Sequence, residues 1–333
     1  MSLDLPEVYE PGRKVELSEI PIVDFAPFLD GTPEGKARVA RAIGEACESV
    51  GFLYLTGHGV PQDLIDATFA ADRQFFAQSA ADKARTAATL EHWRGWVPPK
   101  VEGEGGAVGG GVETFRLMLD LPPDDPDVLA GKPLHLPNKW PDHLPGFKAT
   151  VSSYLDSMLA LSSQLRHAFA LALGLPESFF ESWYTKPLVQ LSLLHYRPPT
   201  VAGRVEIGVG EHRDTGAFTI LMQDEVGGLE VQVRRGEWIA APPIRGAYVI
   251  NIGDMMMNWT NGRFVSTPHR VVNRADQPRY SIPFFVNPDF DVVVEPLPPF
   301  VSADNPPRFA PVHNGRFMVD FYEHGMAYLR RAA

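Results

Sequence analysis

The chain has 333 residues, of which 44% are hydrophobic and 21% charged, a composition that excludes a disordered protein and allows a sizeable core. Its formal net charge of −11 disfavours nucleic acid and anionic membranes as partners, because both repel an acidic chain. The single cysteine, Cys47, excludes an internal disulfide and favours a reducing compartment, so we expect a cytoplasmic protein.

The N-terminal half is predicted to be mainly helical. Val39, Ile43 and Cys47 share one face at helical spacing, and Gly51 is predicted to end that helix. The apolar stretch 155–173 is interrupted by polar side chains, so it is not expected to span a membrane. The predicted elements are strands at 20–25, 52–55 and 112–119, a turn at 57–59, and helices at 33–50, 61–76 and 147–173.

Two segments of this half are predicted to be irregular. The glycine-rich stretch 103–111 is expected to form a loop, either a flap beside a substrate entrance or a passive connector. In the strand that follows, Phe115 and Arg116 lie on opposite faces, and one of the two is a candidate substrate contact. The proline- and aspartate-rich stretch 122–145 is expected to be irregular surface.

After Lys186 the pattern changes to short apolar runs, which are separated by turn signals such as Gly227-Gly228. Many short strands of this kind predict a sandwich or a closed barrel. We therefore predict a mainly β fold with flanking helices. It has a jelly-roll core at 187–295, a helical N-terminal region at 1–186 packed on it, and a C-terminal tail at 296–333. The predicted strands of this half are 188–196, 218–223, 229–233, 247–252, 265–272, 280–286 and 292–294.

A candidate metal site is formed by His212, Asp214 and His269. In an extended segment residues i and i+2 point to the same side, so His212 and Asp214 can face one ion. His269 lies far enough along the chain to return on another strand. Two imidazoles and one carboxylate form the facial triad of non-haem Fe(II) oxygenases. Taken alone, a His-x-Asp pair is more often a surface or ion-paired feature, and a lone histidine more often structural.

A second motif favours the metal site over these alternatives. Arg279 and Ser281 open a predicted strand and share a face, and a guanidinium beside a hydroxyl can clamp a carboxylate. The alternative is a surface arginine paired with Asp276 or Glu295. Tyr196 can point into the same interior, or it can be a core tyrosine with a satisfied hydroxyl.

Several ordered segments resemble the isopenicillin N synthase-like family of 2-oxoglutarate- and Fe(II)-dependent oxygenases. The resemblance covers nearly the whole chain, and it includes a family-like N-terminal part at about 20–125. Where many members have Asn-Tyr-Tyr-Pro, this chain has Leu194-His195-Tyr196-Arg197, so only the tyrosine carries over. The matching segments are 20–24, 50–60, 212–221, 227–231, 249–254, 259–263, 268–273 and 279–285.

The resemblance implies a double-stranded β-helix, a cupin-like jelly roll, in which His212, Asp214 and His269 bind Fe(II). It also implies that Arg279, Ser281 and Tyr196 bind 2-oxoglutarate, with O₂ as oxidant and ascorbate as a reductant. The expected activity is oxidation of a small-molecule substrate, hydroxylation above all, with release of succinate and CO₂. Three alternatives stay open: a synthase-type oxidase that does not use 2-oxoglutarate, a non-catalytic metal-binding β-helix protein, and a zinc hydrolase. The sequence leaves the substrate and the oligomeric state open.

Overall fold

The computed structural model describes residues 19–99, 111–199, 206–233, 236–273 and 276–326. Of the predicted glycine-rich loop, residues 103–110 lie outside these ranges. The helices are α1 Ala26–Leu29, α2 Pro33–Ser49, α3 Gln62–Phe76, α4 Ala80–Ala84, α5 Pro126–Leu129, α6 Phe147–Ala172, α7 Asp254–Trp259 and α8 Asn314–Gly325.

The strands alternate with these helices in the N-terminal half and follow one another closely in the C-terminal half. They are β1 Ile22–Asp24, β2 Phe52–Thr56, β3 Gly95–Val97, β4 Val112–Met118, β5 Gln190–Tyr196, β6 Glu206–His212, β7 Phe218–Gln223, β8 Leu229–Gln232, β9 Trp238–Ala240, β10 Tyr248–Ile252, β11 His269–Asn273, β12 Arg279–Val286, β13 Val293–Val294 and β14 Val312–His313.

Two sheets form the framework. The large sheet has eight strands in the order β1-β2-β10-β7-β12-β5-β4-β3, and the small sheet has four in the order β6-β11-β8-β9. Four strands of the large sheet come from the N-terminal half of the chain, so that half contributes to the β framework as well as to the helices. The mainly β architecture with flanking helices agrees with the predicted fold class.

The helices cover one face of the large sheet. The long helix α6 packs against α2 and α3, and α3 contacts β5 and β12. The ring of Phe115 on β4 is fully buried there, 4.5 Å from the ring of Phe75 and 5.4 Å from that of Phe147. Phe115 is therefore a core residue on the helical side, and it is wrong as a candidate substrate contact.

Local signals in the sequence fix the ends of α2. The side chain of Thr32 accepts a hydrogen bond from the backbone N–H of Gly35 at 3.1 Å, which caps the helix at its N-terminus. Gly51 follows the helix with φ +68°, and a Cβ at this position would lie 2.1 Å from the carbonyl oxygen of Val265. Only glycine fits there, as the predicted helix end at this residue requires.

The stretch 122–145 differs from its prediction as irregular surface. Leu134, His135 and Asn138 are buried in it. The amide of Asn138 bonds the backbone N–H and C=O of Met118 and also accepts from the guanidinium of Arg94, so it continues the edge of β4. Polar composition is misleading here because a buried amide can replace a strand partner. Among the described residues, no helix is both long and apolar enough to cross a membrane.

A buried ion-pair network joins β4 to α4. The carboxylate of Glu113 lies 2.5 Å from Nζ of Lys83, and the two side chains are only 1% and 6% exposed. It also accepts from the indole of Trp96 at 3.1 Å and from the guanidinium of Arg197 at 2.9 Å. Burial alone would raise the pKa of Glu113, but hydrogen bonds from His195, Lys83 and Arg197 hold this pKa far below its usual value.

We expect Glu113→Gln to lower the free energy of unfolding by about 3 kcal/mol or more, because it leaves the buried ammonium of Lys83 without its counter-charge. Urea denaturation at neutral pH measures the change. Since the folded carboxyl has a depressed pKa, its stabilisation is present at neutral pH and is lost on acidification, so the wild-type advantage should shrink below about pH 4.5.

The matched control is Glu48→Gln. It breaks the pair between Glu48 and Arg263, whose side chains are 42% and 44% exposed, and should cost no more than about 1 kcal/mol. Equal losses for the two variants would contradict a stabilising role for the buried network.

Candidate active site

The structure brings the three predicted metal ligands together. His212 is the last residue of β6, and it pairs directly with His269, the first residue of β11. Oδ1 of Asp214 lies 3.7 Å from Nε2 of His212 and 3.6 Å from Nε2 of His269. One ligand atom from each residue falls within 4.8 Å of the others, a set that could hold one metal ion.

The path of the chain differs in one detail from the expected strand alternation. Asp214 does not continue β6 but follows it in an irregular segment. Its backbone carbonyl accepts from the N–H of Asp254 at 2.8 Å, and that contact ties the segment to the start of α7. The carboxylate is therefore aimed by the turn after the strand, and not by the strand's own alternation.

Backbone carbonyls orient both imidazoles. Nδ1 of His212 lies 2.9 Å from the carbonyl oxygen of Gly210, and Nδ1 of His269 lies 3.1 Å from that of Thr267. Each carbonyl accepts a hydrogen bond from Nδ1–H, which leaves the Nε2 lone pair directed toward the other ligands. Burial lowers the pKa of His269, so this ring stays neutral and available for a metal.

The two oxygens of Asp214 have different tasks. Oδ2 accepts hydrogen bonds from Oγ1 of Thr219 and, at 2.7 Å, from Nδ2 of Asn251, whereas Oδ1 faces the two imidazoles. Burial by itself raises the pKa of Asp214, but the neighbouring imidazoles and these two hydrogen bonds bring it below its usual value. The carboxylate is thus held ionised, as a metal ligand must be.

Neither support of this carboxylate was predicted from the sequence. Thr219 lies in β7 and Asn251 in β10, two neighbouring strands of the large sheet. The only local signal was a polar residue inside an apolar run, Val249-Ile250-Asn251-Ile252. A polar side chain in a fully buried strand requires a partner, and here that partner is Asp214.

The three candidate ligands differ in their exposure to solvent. The side chains of Asp214 and His269 are 6% and 9% exposed, whereas that of His212 is 37% exposed. Among the three ligands, His212 is therefore the one most accessible from solvent.

A second polar group stands in the same cavity. Arg279 is buried, and its Nη1 donates to Oγ of Ser281 at 3.1 Å. Its Nη2 donates to the side-chain carbonyl of Gln223 at 3.1 Å, and its guanidinium lies 4.6 Å from the ring centroid of Tyr196. The alternative of a surface arginine paired with Asp276 or Glu295 is wrong, because Arg279 lies inside the fold.

A tight turn holds this arginine from behind. Nε of Arg279 donates to the carbonyl of Gly227. The carboxylate of Asp224 accepts from the N–H groups of Val226 and Tyr280, at 3.1 and 2.6 Å, and so fixes the turn onto β12. Gly228 has φ +103°, and a Cβ there would lie 2.4 Å from the carbonyl oxygen of Val272. Neither Gln223 nor Asp224 was predicted from the sequence as a support of the site.

Within the described part of the chain, the hydrogen-bond partners of Arg279 are neutral oxygens, and no carboxylate lies within ion-pair distance. Asp224 acts on Arg279 only from beyond that distance. A buried cation without a direct ion-pair partner is costly, so this arrangement favours an anionic ligand. The shared cavity has a volume of about 140 Å³. Its walls come from both sheets: Phe52, Leu194, Tyr196, Val209, His212, Asp214, Thr219, Leu221, Leu229, Asn251, His269, Val271, Arg279, Ser281, Pro283 and Phe285.

Comparison with known protein families gives two matches. Residues 20–143 match the family described as the N-terminal part of a non-haem dioxygenase in morphine synthesis. Residues 188–288 match the 2OG-Fe(II) oxygenase superfamily. The second match contains all six residues proposed above as metal ligands or as part of the arginine pocket.

Curated relatives are similar over most of their length. The chain is 36% identical over 310 residues to a probable iron/ascorbate oxidoreductase of Dictyostelium discoideum, covering 84% of each chain. It is 33% identical over 300 residues to a 2-oxoglutarate-Fe(II) type oxidoreductase of Emericella nidulans, covering 88% of this chain and 86% of the relative.

Solved structures are also similar to this chain over most of its length. A full-length Neurospora crassa protein, crystallised in complex with alpha-KG and thymine, is similar with a TM-score of 0.80 and 29% identity, over 92% of this chain and 97% of that one. A putative 2OG-Fe(II) oxygenase family protein from Caulobacter crescentus gives a TM-score of 0.81 and 32% identity, over 92% and 99%.

We expect Asp214→Ala to abolish Fe(II) retention, because it removes the only anionic member of the metal site. Asn251→Ala should weaken binding about 10- to 100-fold, since it frees the ligating carboxylate from a support. Anaerobic titration of the purified protein with Fe(II), read by calorimetry, measures both.

Asp66→Ala is the control for loss of one negative charge. Asp66 is an exposed residue paired with Arg245, and the variant should bind Fe(II) as the wild type does. An Asp214→Ala protein with wild-type affinity would show that the metal binds elsewhere.

Proposed function

The chain belongs to the 2OG-Fe(II) oxygenase superfamily, and we propose that its own site residues carry out hydroxylation of a small molecule. The protein is a 2-oxoglutarate-dependent non-haem iron dioxygenase, which releases succinate and CO₂ as it oxidises its substrate. The observation that supports the residue assignments best is one cavity that contains a three-ligand metal site and a buried arginine. No carboxylate of the described residues lies within ion-pair distance of this arginine.

His212, Asp214 and His269 would hold Fe(II). Their donor set fits this metal, because two neutral imidazoles and one carboxylate on one side leave coordination positions for other ligands. Bound iron supplies the redox chemistry that activates O₂, with 2-oxoglutarate as the source of two electrons. The protein residues keep Asp214 ionised and direct both Nε2 atoms inward.

Arg279 and Ser281 would bind the carboxylate of 2-oxoglutarate that is remote from the metal. The guanidinium is fixed by Gln223, by the carbonyl of Gly227 and by the ring of Tyr196. The side chain of Arg279 therefore loses little further conformational freedom when the anion binds. This assigns Tyr196 a positioning role, in which its ring packs against the arginine.

The apolar walls of the cavity keep water from the reacting groups. Phe52, Leu221 and Phe285 are among the residues that line it. A water-poor cavity strengthens the ionic contact to Arg279 and protects a reactive oxidant from side reactions with solvent.

A synthase-type oxidase would use the same arginine to hold its substrate's carboxylate instead of a cosubstrate. The relatives favour the dioxygenase, because several are named as 2-oxoglutarate-dependent and solved neighbours contain alpha-KG. We further propose a cytoplasmic enzyme acting on small molecules and not on nucleic acid. Burial in α2 raises the pKa of the Cys47 thiol, which suits a protein that makes no use of disulfides.

We expect Arg279→Gln to raise the KM for 2-oxoglutarate about 100-fold. Removing one partner of a buried, hydrogen-bonded charge pair weakens binding by about 2–5 kcal/mol. Gln223→Leu removes one support of the guanidinium and should raise this KM about tenfold. Succinate release at varied 2-oxoglutarate measures both, and calorimetry should show unchanged Fe(II) binding.

Arg245→Gln serves as the control for loss of an arginine, because Arg245 is 78% exposed and pairs only with Asp66 among the described residues. A wild-type enzyme that oxidises a substrate without consuming 2-oxoglutarate would favour the oxidase. An unchanged KM in Arg279→Gln would remove this residue from the cosubstrate site.

A further inference from the structure

The face of the large sheet that lines the cavity continues onto β4. Ser281, which lines the cavity, is paired with Leu194 on β5, and Leu194 is paired with Thr114 on β4. Residues paired across strands point to the same side of a sheet, and residues two apart on one strand do so too. Arg116 therefore lies on the cavity face of β4, opposite to the buried ring of Phe115.

Arg116 and Arg279 lie at opposite ends of this face. Tyr196, the partner of Arg279, is paired with Val112, whereas Arg116 is paired with Ser192 four residues further along both strands. Four strand residues span about 13 Å, so the two guanidinium groups mark two separate ends of the site. Arg279 lies at the end that we assign to the cosubstrate, which leaves the Arg116 end for the substrate.

Contacts from three sides orient Arg116. Its Nη1 donates to the carbonyl of Trp93 at 3.2 Å and to the sulfur of Met326 at 3.3 Å. The guanidinium lies 5.1 Å from the ring centroid of Tyr322, which in turn stacks on Trp93 with centroids 5.7 Å apart. The side chain is only half-buried, so a ligand can reach it.

Other hydrogen-bonding groups lie on the same face as Arg116, on the neighbouring strand. Gln190 and Ser192, on the same face of β5, are joined by a 2.8 Å hydrogen bond. The hydroxyl of Tyr322 donates to the side-chain carbonyl of Gln190. Gln190 is also the register partner of Phe285, which lines the cavity beside the metal ligands. A polar patch of Arg116, Ser192, Gln190 and Tyr322 thus borders the cavity on the side away from Arg279.

We propose that this polar patch selects the substrate, and that the substrate carries a carboxylate which Arg116 binds. This rests on the proposed function, because it divides one site into a cosubstrate end and a substrate end. A planar guanidinium can bind both oxygens of a carboxylate, and on a chain with a net charge of −11 a fixed local cation is needed to attract an anion. The substrate's apolar part would then extend along Phe285 and Pro283 toward the metal ligands.

The test compares acids with their uncharged amides on the protein loaded anaerobically with Fe(II) and 2-oxoglutarate. The probes are phenylacetate, indole-3-acetate and the corresponding amides, and their dissociation constants are measured by ligand-observed NMR. The wild type should bind at least one acid about tenfold or more tightly than its amide, because a charge-assisted contact adds about 1.5–3 kcal/mol. Arg116→Gln should abolish this preference by weakening the acid alone, and Arg116→Lys should restore part of it.

Arg73→Gln is the matched control, an exposed arginine on α3 whose removal should leave the acid preference intact. Thermal unfolding checks that each variant is folded, and calorimetry should show wild-type affinity for 2-oxoglutarate in Arg116→Gln. The proposal is overturned if no acid binds the wild type more tightly than its amide, or if Arg116→Gln keeps the preference. A wild type that fails to convert 2-oxoglutarate to succinate would instead refute the proposed function, which the binding comparison does not test.

Discussion

One shared carboxylate links the two sheets at the site. Oδ2 of Asp214 bonds to Thr219 and Asn251 of the large sheet, and Oδ1 faces His212 and His269 of the small sheet. A buried carboxylate is stable only when its oxygens are satisfied, so the small sheet must hold its position against the large one for the charge to be tolerated. The rest of the site depends on this contact, because the small sheet supplies the histidines and the large sheet supplies the arginine pocket.

A buried charge of the opposite sign is held in a similar way at the other end of the cavity. Arg279 is buried among neutral oxygens and an aromatic ring, so its orientation is fixed while its charge is left for a ligand. Each buried charge is thus supported by the protein on one side and directed into the cavity on the other. Groups arranged in this way need little reorganisation when ligands bind, which is the physical basis of a preorganised site.

The sequence predicted the site better than it predicted what supports the site. His212, Asp214 and Arg279 stand in short motifs whose spacing is informative by itself, and the structure brings them into one cavity. Asn251 and Gln223 could not be assigned, because their partners lie far along the chain and depend on strand register. Strand β6 was missed for a similar reason, since Gly208 and Gly210 weaken its local β signal and its pairing with β11 defines it. Alternation on β4 separated Phe115 from Arg116, but only the register showed which one faces the cavity.

The burial of Cys47 has a practical consequence. Its thiol is enclosed in α2, and its raised pKa leaves almost no thiolate at neutral pH. Alkylating reagents and peroxide therefore have no reactive native thiol to attack in the folded chain. A cysteine introduced at an exposed position such as Leu129 or Phe321 would be the single site of labelling. Fluorophores or spin labels could then be attached without first removing a native cysteine.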